Sequence, residues 1–101
     1  MAQLDAIRER ADAAEALRLA ARYVWWQTPE TTLSDIDSLL CRIMTDGTAE
    51  DYVAARKLWG EAAFKRALER ATPGAVDERS WRFWHLHFKI PLRPYPRRRL
   101  P

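Results

Sequence analysis

Residues 77–90 read DERSWRFWHLHFKI. Asp77 suits a helix N-cap, because its side chain can accept from a free N–H of the first turn. Val76 before it and Trp81 four residues into the helix are spaced for a hydrophobic staple. Trp81, Trp84, His85 and Phe88 recur at helical steps on one face, and Phe83, Leu86 and Ile90 fall on another. A helix that is aromatic nearly all round is either central in a core, or half core and half interface. Pro91 ends it, since proline cannot continue the ladder.

The segments before it are helical as well. Residues 3–23 are rich in Ala, Arg, Glu and Leu, all strong helix formers. Leu4, Ile7, Ala11, Ala14, Leu17 and Ala21 form a narrow apolar stripe, expected to lie against the domain or a partner. Thr28-Pro29 breaks this helix, and a loop is expected to follow. Ser34 is the predicted cap of the next helix, with Asp35 and Asp37 in its first turn, where the helix dipole favours acids. Ile36, Leu39, Leu40, Ile43 and Met44 make its apolar face, and Gly47 is expected to close it in a left-handed conformation. Thr48 caps a third helix with Glu50 and Asp51 in its first turn, and Tyr52, Val53, Ala55, Leu58 and Trp59 supply apolar contacts. Gly60 marks a bend. A fourth helix over 61–71 turns Ala63, Phe64, Ala67 and Leu68 inward, and Thr72-Pro73-Gly74 stops it. The fold class is all-α, a compact orthogonal bundle of about five helices. Residues 1–91 make one domain, and 92–101 form an extended Pro/Arg-rich tail.

Five tryptophans in 101 residues form the strongest compositional signal. An indole buries a large area and carries an N–H that wants a partner, so such a domain has an aromatic core or keeps indoles where another protein docks. Trp59, Trp81 and Trp84 fit the core. Trp25 and Trp26 are adjacent and cannot both point inward, so at least one approaches the surface. The net charge is +3, and the excess is C-terminal: residues 72–101 hold seven bases against two acids and end in Arg97, Arg98 and Arg99. Arg79, Arg82 and Lys89 are spaced three and seven apart and are expected to form a positive ridge with that tail. The single cysteine, the charged N-terminus and the lack of a long apolar run point to a cytoplasmic chain without membrane contact.

No catalytic constellation emerges. Asp35 and Asp37, like His85 and His87, are two apart on a helix and point different ways, so neither pair chelates a metal from one face. His85 is expected among the tryptophans and His87 in solvent. Cys41 lies in an apolar stretch with no base nearby and reads as inert packing. The three glycines are too far apart for a phosphate loop. The chain is therefore read as a non-enzyme without metal or cofactor.

The stretch from Trp26 to Ile90 resembles small bacterial proteins encoded beside abortive-infection-type nucleotidyltransferase toxins. The likeness rests on Trp25, Trp26 and Pro29, on the helix and glycine turn in DIDSLLCRIMTDGTAEDY, on the basic segment LWGEAAFKRALER, and on Arg79-Ser80-Trp81-Arg82-Phe83-Trp84. The N-terminal helix is longer than the family pattern, and the arginine tail is added. The resemblance implies an antitoxin-like protein that binds and restrains a cognate nucleotidyltransferase toxin. Trp25, Trp26 and Trp84 would supply apolar contact, and Arg79, Arg82, Arg97, Arg98 and Arg99 charge complementarity. Two other readings use the same residues differently. A DNA-binding autoregulator would pair residues 61–71 with 77–90 as a helix-turn-helix, although bulky indoles then stand where recognition helices carry small polar groups. A non-enzymatic scaffold or homo-oligomer would associate through the N-terminal helix.

Overall fold

Leu39, Leu40, Cys41, Ile43 and Met44 are all buried, and the helix that carries them is the hub of the molecule. The computed structural model describes residues 2–97, with side chains from Arg8 onward. The elements in chain order are α1 (Ala2–Tyr23), α2 (Pro29–Leu33), α3 (Ile36–Asp46), α4 (Ala49–Trp59), α5 (Glu61–Glu69) and α6 (Glu78–His87). No strand occurs among the described residues. Helix α3 packs against all five others, most extensively against α5.

Local chemistry accounts for the helix ends. Thr48 Oγ1 accepts from the Asp51 N–H at 3.1 Å, and Asp77 Oδ1 from the Ser80 N–H at 2.6 Å, as the sequence predicts. Val76 and Trp81 are both in the core, where a staple would put them. Gly60 alone separates α4 from α5, at φ +87°, a conformation that a side chain would resist. Lys89, the residue after the C-cap Phe88 of α6, also has a positive φ, +56°. There the Lys89 N–H donates to the Leu86 carbonyl and the Ile90 N–H to that of His85, both at 3.1 Å. This is a Schellman closure with lysine where glycine is usual.

Several expectations need correction. Thr28 does not open a plain loop: it caps the one-turn α2, with Pro29 at the first helical position. Ser34 closes α2, and Asp35 caps α3 instead. Gly47 is extended (φ −77°, ψ 159°) rather than left-handed, and glycine is needed there because a Cβ would collide with the Ile43 carbonyl oxygen. The apolar stripe of α1 does not face the domain: Ala11, Ala14, Leu17 and Ala21 are exposed, whereas Leu19, Ala20 and Tyr23 turn inward. Leu4 and Ile7 of that stripe lie outside the described side chains. Val53 also faces solvent, and Trp59 is half-buried.

The expected tail has no helix, but residues 92–97 are not free. Trp81 Nε1 donates to the Arg93 carbonyl at 2.9 Å, and the Tyr95 hydroxyl to the Val76 carbonyl at 2.6 Å. The Arg93 guanidinium lies over the Trp81 ring, 5.3 Å from its centroid. The segment thus forms a strap across the start of α6. Arg98 and Arg99 lie outside the described residues.

Candidate protein-docking surface

The chain leaves α1 through Val24, which is buried, and then presents Trp25 and Trp26 with 76% and 54% of their surface exposed. The turn that carries them is braced. Thr28 Oγ1 accepts from the Thr31 N–H at 3.3 Å, and the buried Thr32 hydroxyl donates to Gln27 Oε1 at 3.2 Å. The indoles meet edge to face at 5.7 Å, and the Arg42 guanidinium sits 5.3 Å from the Trp26 ring centroid. Two large apolar side chains are therefore held in solvent on a structured turn.

The second exposed apolar group is on α6. Trp81, Trp84, His85 and Phe88 are buried, whereas Phe83 and Leu86 face solvent, as does Leu92 beyond the helix. The helix is half core and half surface. Trp84 is on the core side, which corrects its assignment as a docking residue. It is 8% exposed, and its Nε1 donates to the Met44 carbonyl at 2.8 Å, so its polar edge is already engaged. Phe83, its edge-to-face neighbour at 5.0 Å, occupies the surface in its place. His87 is exposed as predicted and stacks on Phe83. His85 is enclosed, with Nδ1 2.7 Å from the Trp81 carbonyl; a carbonyl only accepts, so Nδ1 carries the hydrogen.

The arginines do not form one ridge. Arg79 borders a groove of about 490 Å³ between α6 and the α3–α4 turn, together with Phe83. Arg82 faces the strap and shares Glu78 Oε1 with Arg97, at 3.6 and 3.5 Å. Lys89 falls beyond the helix end, so helical spacing no longer places it with the other two. Arg79 has no ion-pair partner among the described residues.

One feature was hidden from sequence reasoning. Asp51, read as a first-turn acid, is only 4% exposed and ties α4 to α1. It accepts from the Tyr23 hydroxyl at 2.5 Å and from Arg18 at 3.0 Å, and Arg22 lies at 3.4 Å. Burial alone would push its carboxyl up. The hydrogen bonds from Tyr23 and Arg18 and the charges of Arg18 and Arg22 outweigh that, and hold it below the usual carboxylate range. Burial pushes the Tyr23 phenol up, and its bond to Asp51 adds to the effect. This cluster is a structural tie with every member partnered.

Cys41 donates weakly to the Ala67 carbonyl at 3.5 Å, and burial pushes its thiol up to about 12, which disfavours the nucleophilic thiolate. Among the described residues no three His, Cys, Asp or Glu side chains converge as metal ligands, and no helix is long and apolar enough to cross a membrane. No protein-family model, curated protein or solved structure matches the chain.

Proposed function

We propose that this protein is a docking module that binds and restrains a nucleotidyltransferase toxin, in the manner of an antitoxin. The observation that carries the docking part is the pair Trp25 and Trp26, both exposed on a turn that its own hydrogen bonds brace. Trp is among the residues most enriched at binding hot spots, where truncation costs about 2 kcal/mol or more. A pre-ordered turn also lowers the entropy lost on association. Phe83 and Leu86 extend the exposed apolar surface, and Arg79 offers a charge with no ion-pair partner among the described residues. The choice of partner rests on the sequence resemblance, above all Trp25, Trp26 and Pro29 and the run Arg79 to Trp84.

Co-expression with the protein encoded beside it, followed by purification through a tag on this chain, tests the proposal. The expected result is a stoichiometric complex that survives about 0.5 M salt, where screening reduces charge attraction to contact range. Trp25→Ala together with Trp26→Ala should abolish it while leaving the fold intact. Failure to co-purify, with toxicity unsuppressed in cells, overturns the proposal.

A further inference from the structure

The strap and α6 border a groove of about 380 Å³. Arg82 of α6 and Arg93 and Arg97 of the strap line it, and Glu78 is its one acidic side chain. Three guanidinium charges therefore meet one carboxylate. A wider count keeps the sign. Residues 77–97 hold Arg79, Arg82, Lys89, Arg93 and Arg97 against Asp77 and Glu78. Glu69, whose carbonyl accepts from Arg93 at 3.3 Å, still leaves the bases in excess. Arg98 and Arg99 follow in the sequence.

These guanidiniums are gathered but not saturated. Arg82 Nη2 and Arg97 Nη2 approach the same Glu78 oxygen, at 3.6 and 3.5 Å. Each contact is single and long, although a guanidinium carries five N–H donors in a fork that suits bidentate anions. Both side chains are exposed. Arg93 Nη2 is shielded and has no hydrogen-bond partner among the described residues.

A fixed aromatic ring stands beside them. The Tyr95 hydroxyl is bound to the Val76 carbonyl, and its half-buried ring meets Trp81 edge to face at 5.9 Å. The Arg97 guanidinium is 6.0 Å from the Tyr95 ring centroid. An acidic peptide has no need of such a ring, and the bases of a duplex are stacked inside it. An unstacked base can reach the ring while the flanking phosphates meet the arginines, the combination that binds single strands.

We infer that this groove binds a single-stranded nucleic acid. One base stacks on Tyr95, and the adjoining phosphates take the place of Glu78 on Arg82 and Arg97. This is a second activity, separate from docking through Trp25 and Trp26.

Fluorescence anisotropy of a labelled oligouridine of about eight nucleotides, titrated with the full chain, tests it. Arg82→Ala together with Arg97→Ala should lower affinity about tenfold or more. The plot of log affinity against log salt should flatten by about 0.7 for each arginine removed. Lys57→Ala with Lys65→Ala, which removes two charges outside the groove, should have a much smaller effect. Glu78→Gln should strengthen binding severalfold, whereas Glu50→Gln on α4 removes the same charge and should not. All these side chains are exposed except those of Arg93 and Tyr95, which stay unaltered, and unchanged melting temperatures verify the fold. In the unmodified chain, light-driven crosslinking of an iodouridine oligomer should label Tyr95. No binding, equal binding of a duplex or of polyglutamate, equal effects of the two double variants, or labelling at Trp25, Trp26 or Phe83 instead overturns the inference. Trp25→Ala with Trp26→Ala should keep oligouridine binding while abolishing the toxin complex, so either claim can fail without the other.

Discussion

Asp51 and Thr45 are close in sequence and fare in opposite ways. Asp51 is buried at the seam between α1 and α4, and each of its oxygens is engaged by Tyr23 or an arginine. Thr45 lines the groove between α3 and α6, and its hydroxyl, with the nearby Arg42 Nε, is shielded and has no hydrogen-bond partner among the described residues. One polar region is satisfied completely and the other is left incomplete. The first seam holds the fold. The second leaves polar groups unmet, at the cost of some stability.

Asp51→Ala tests the strong side of this contrast. It leaves the Tyr23 hydroxyl and Arg22 without their acceptor and Arg18 with Glu15 alone. The loss should be about 3 kcal/mol in urea unfolding, the low end for a broken buried pair because both arginines are partly exposed. The same carboxylate sets a pH dependence. Its folded value lies below the ordinary one, so its stabilisation is complete above about pH 4 and disappears as pH falls through the lowered value. Asp51→Asn should flatten that part of the acid unfolding curve; an unchanged curve would show that Asp51 is not the linked group.

Tyr23→Phe removes only the hydroxyl and should cost about 2 kcal/mol, as expected for a bond to a charged acceptor. Thr32→Val removes a buried hydroxyl that donates to Gln27 and should cost about 1 kcal/mol. Thr45→Val is the same replacement at an unmet hydroxyl, and thermal unfolding should move by less than about 0.5 kcal/mol. If Thr45→Val costs as much as Thr32→Val, the Thr45 hydroxyl has a partner within the chain and the contrast dissolves.

The same division governs what the sequence discloses. Thr48 and Asp77 were legible as caps because a cap and the N–H that donates to it are three residues apart. The aromatic face of α6 was legible because helical spacing alone groups Trp81, Trp84, His85 and Phe88. Asp51 was not, since its partners Arg18, Arg22 and Tyr23 are far upstream and no local pattern joins them. The face that α1 turns to the domain was not legible for a related reason. Alanines lie on every side of that helix, so composition cannot choose a face, and the Asp51 tie together with Leu19 selects it. Ser34 and Asp35 are both good caps. The choice fell to Asp35 because the one-turn α2, itself set by Thr28 and Pro29, uses Ser34 at its end. Adjacency alone put at least one of Trp25 and Trp26 at the surface; that both are there is seen only in the structure. Replacing Trp84 by Phe83 at the surface required knowing that the Met44 carbonyl binds the Trp84 indole.

The unequal placement of the tryptophans gives the protein two extreme optical populations, with the half-buried Trp59 between them. Trp25 and Trp26 stand in water, while Trp81 and Trp84 are enclosed with their N–H groups bound to carbonyls. Iodide, which stays in the aqueous phase, should quench the red-edge emission of the first pair and spare the blue-shifted emission of the second. Shielding of only the quenchable fraction would report occupancy at Trp25 and Trp26 without any added dye, and a change confined to the protected fraction would report the state of α6 and its strap.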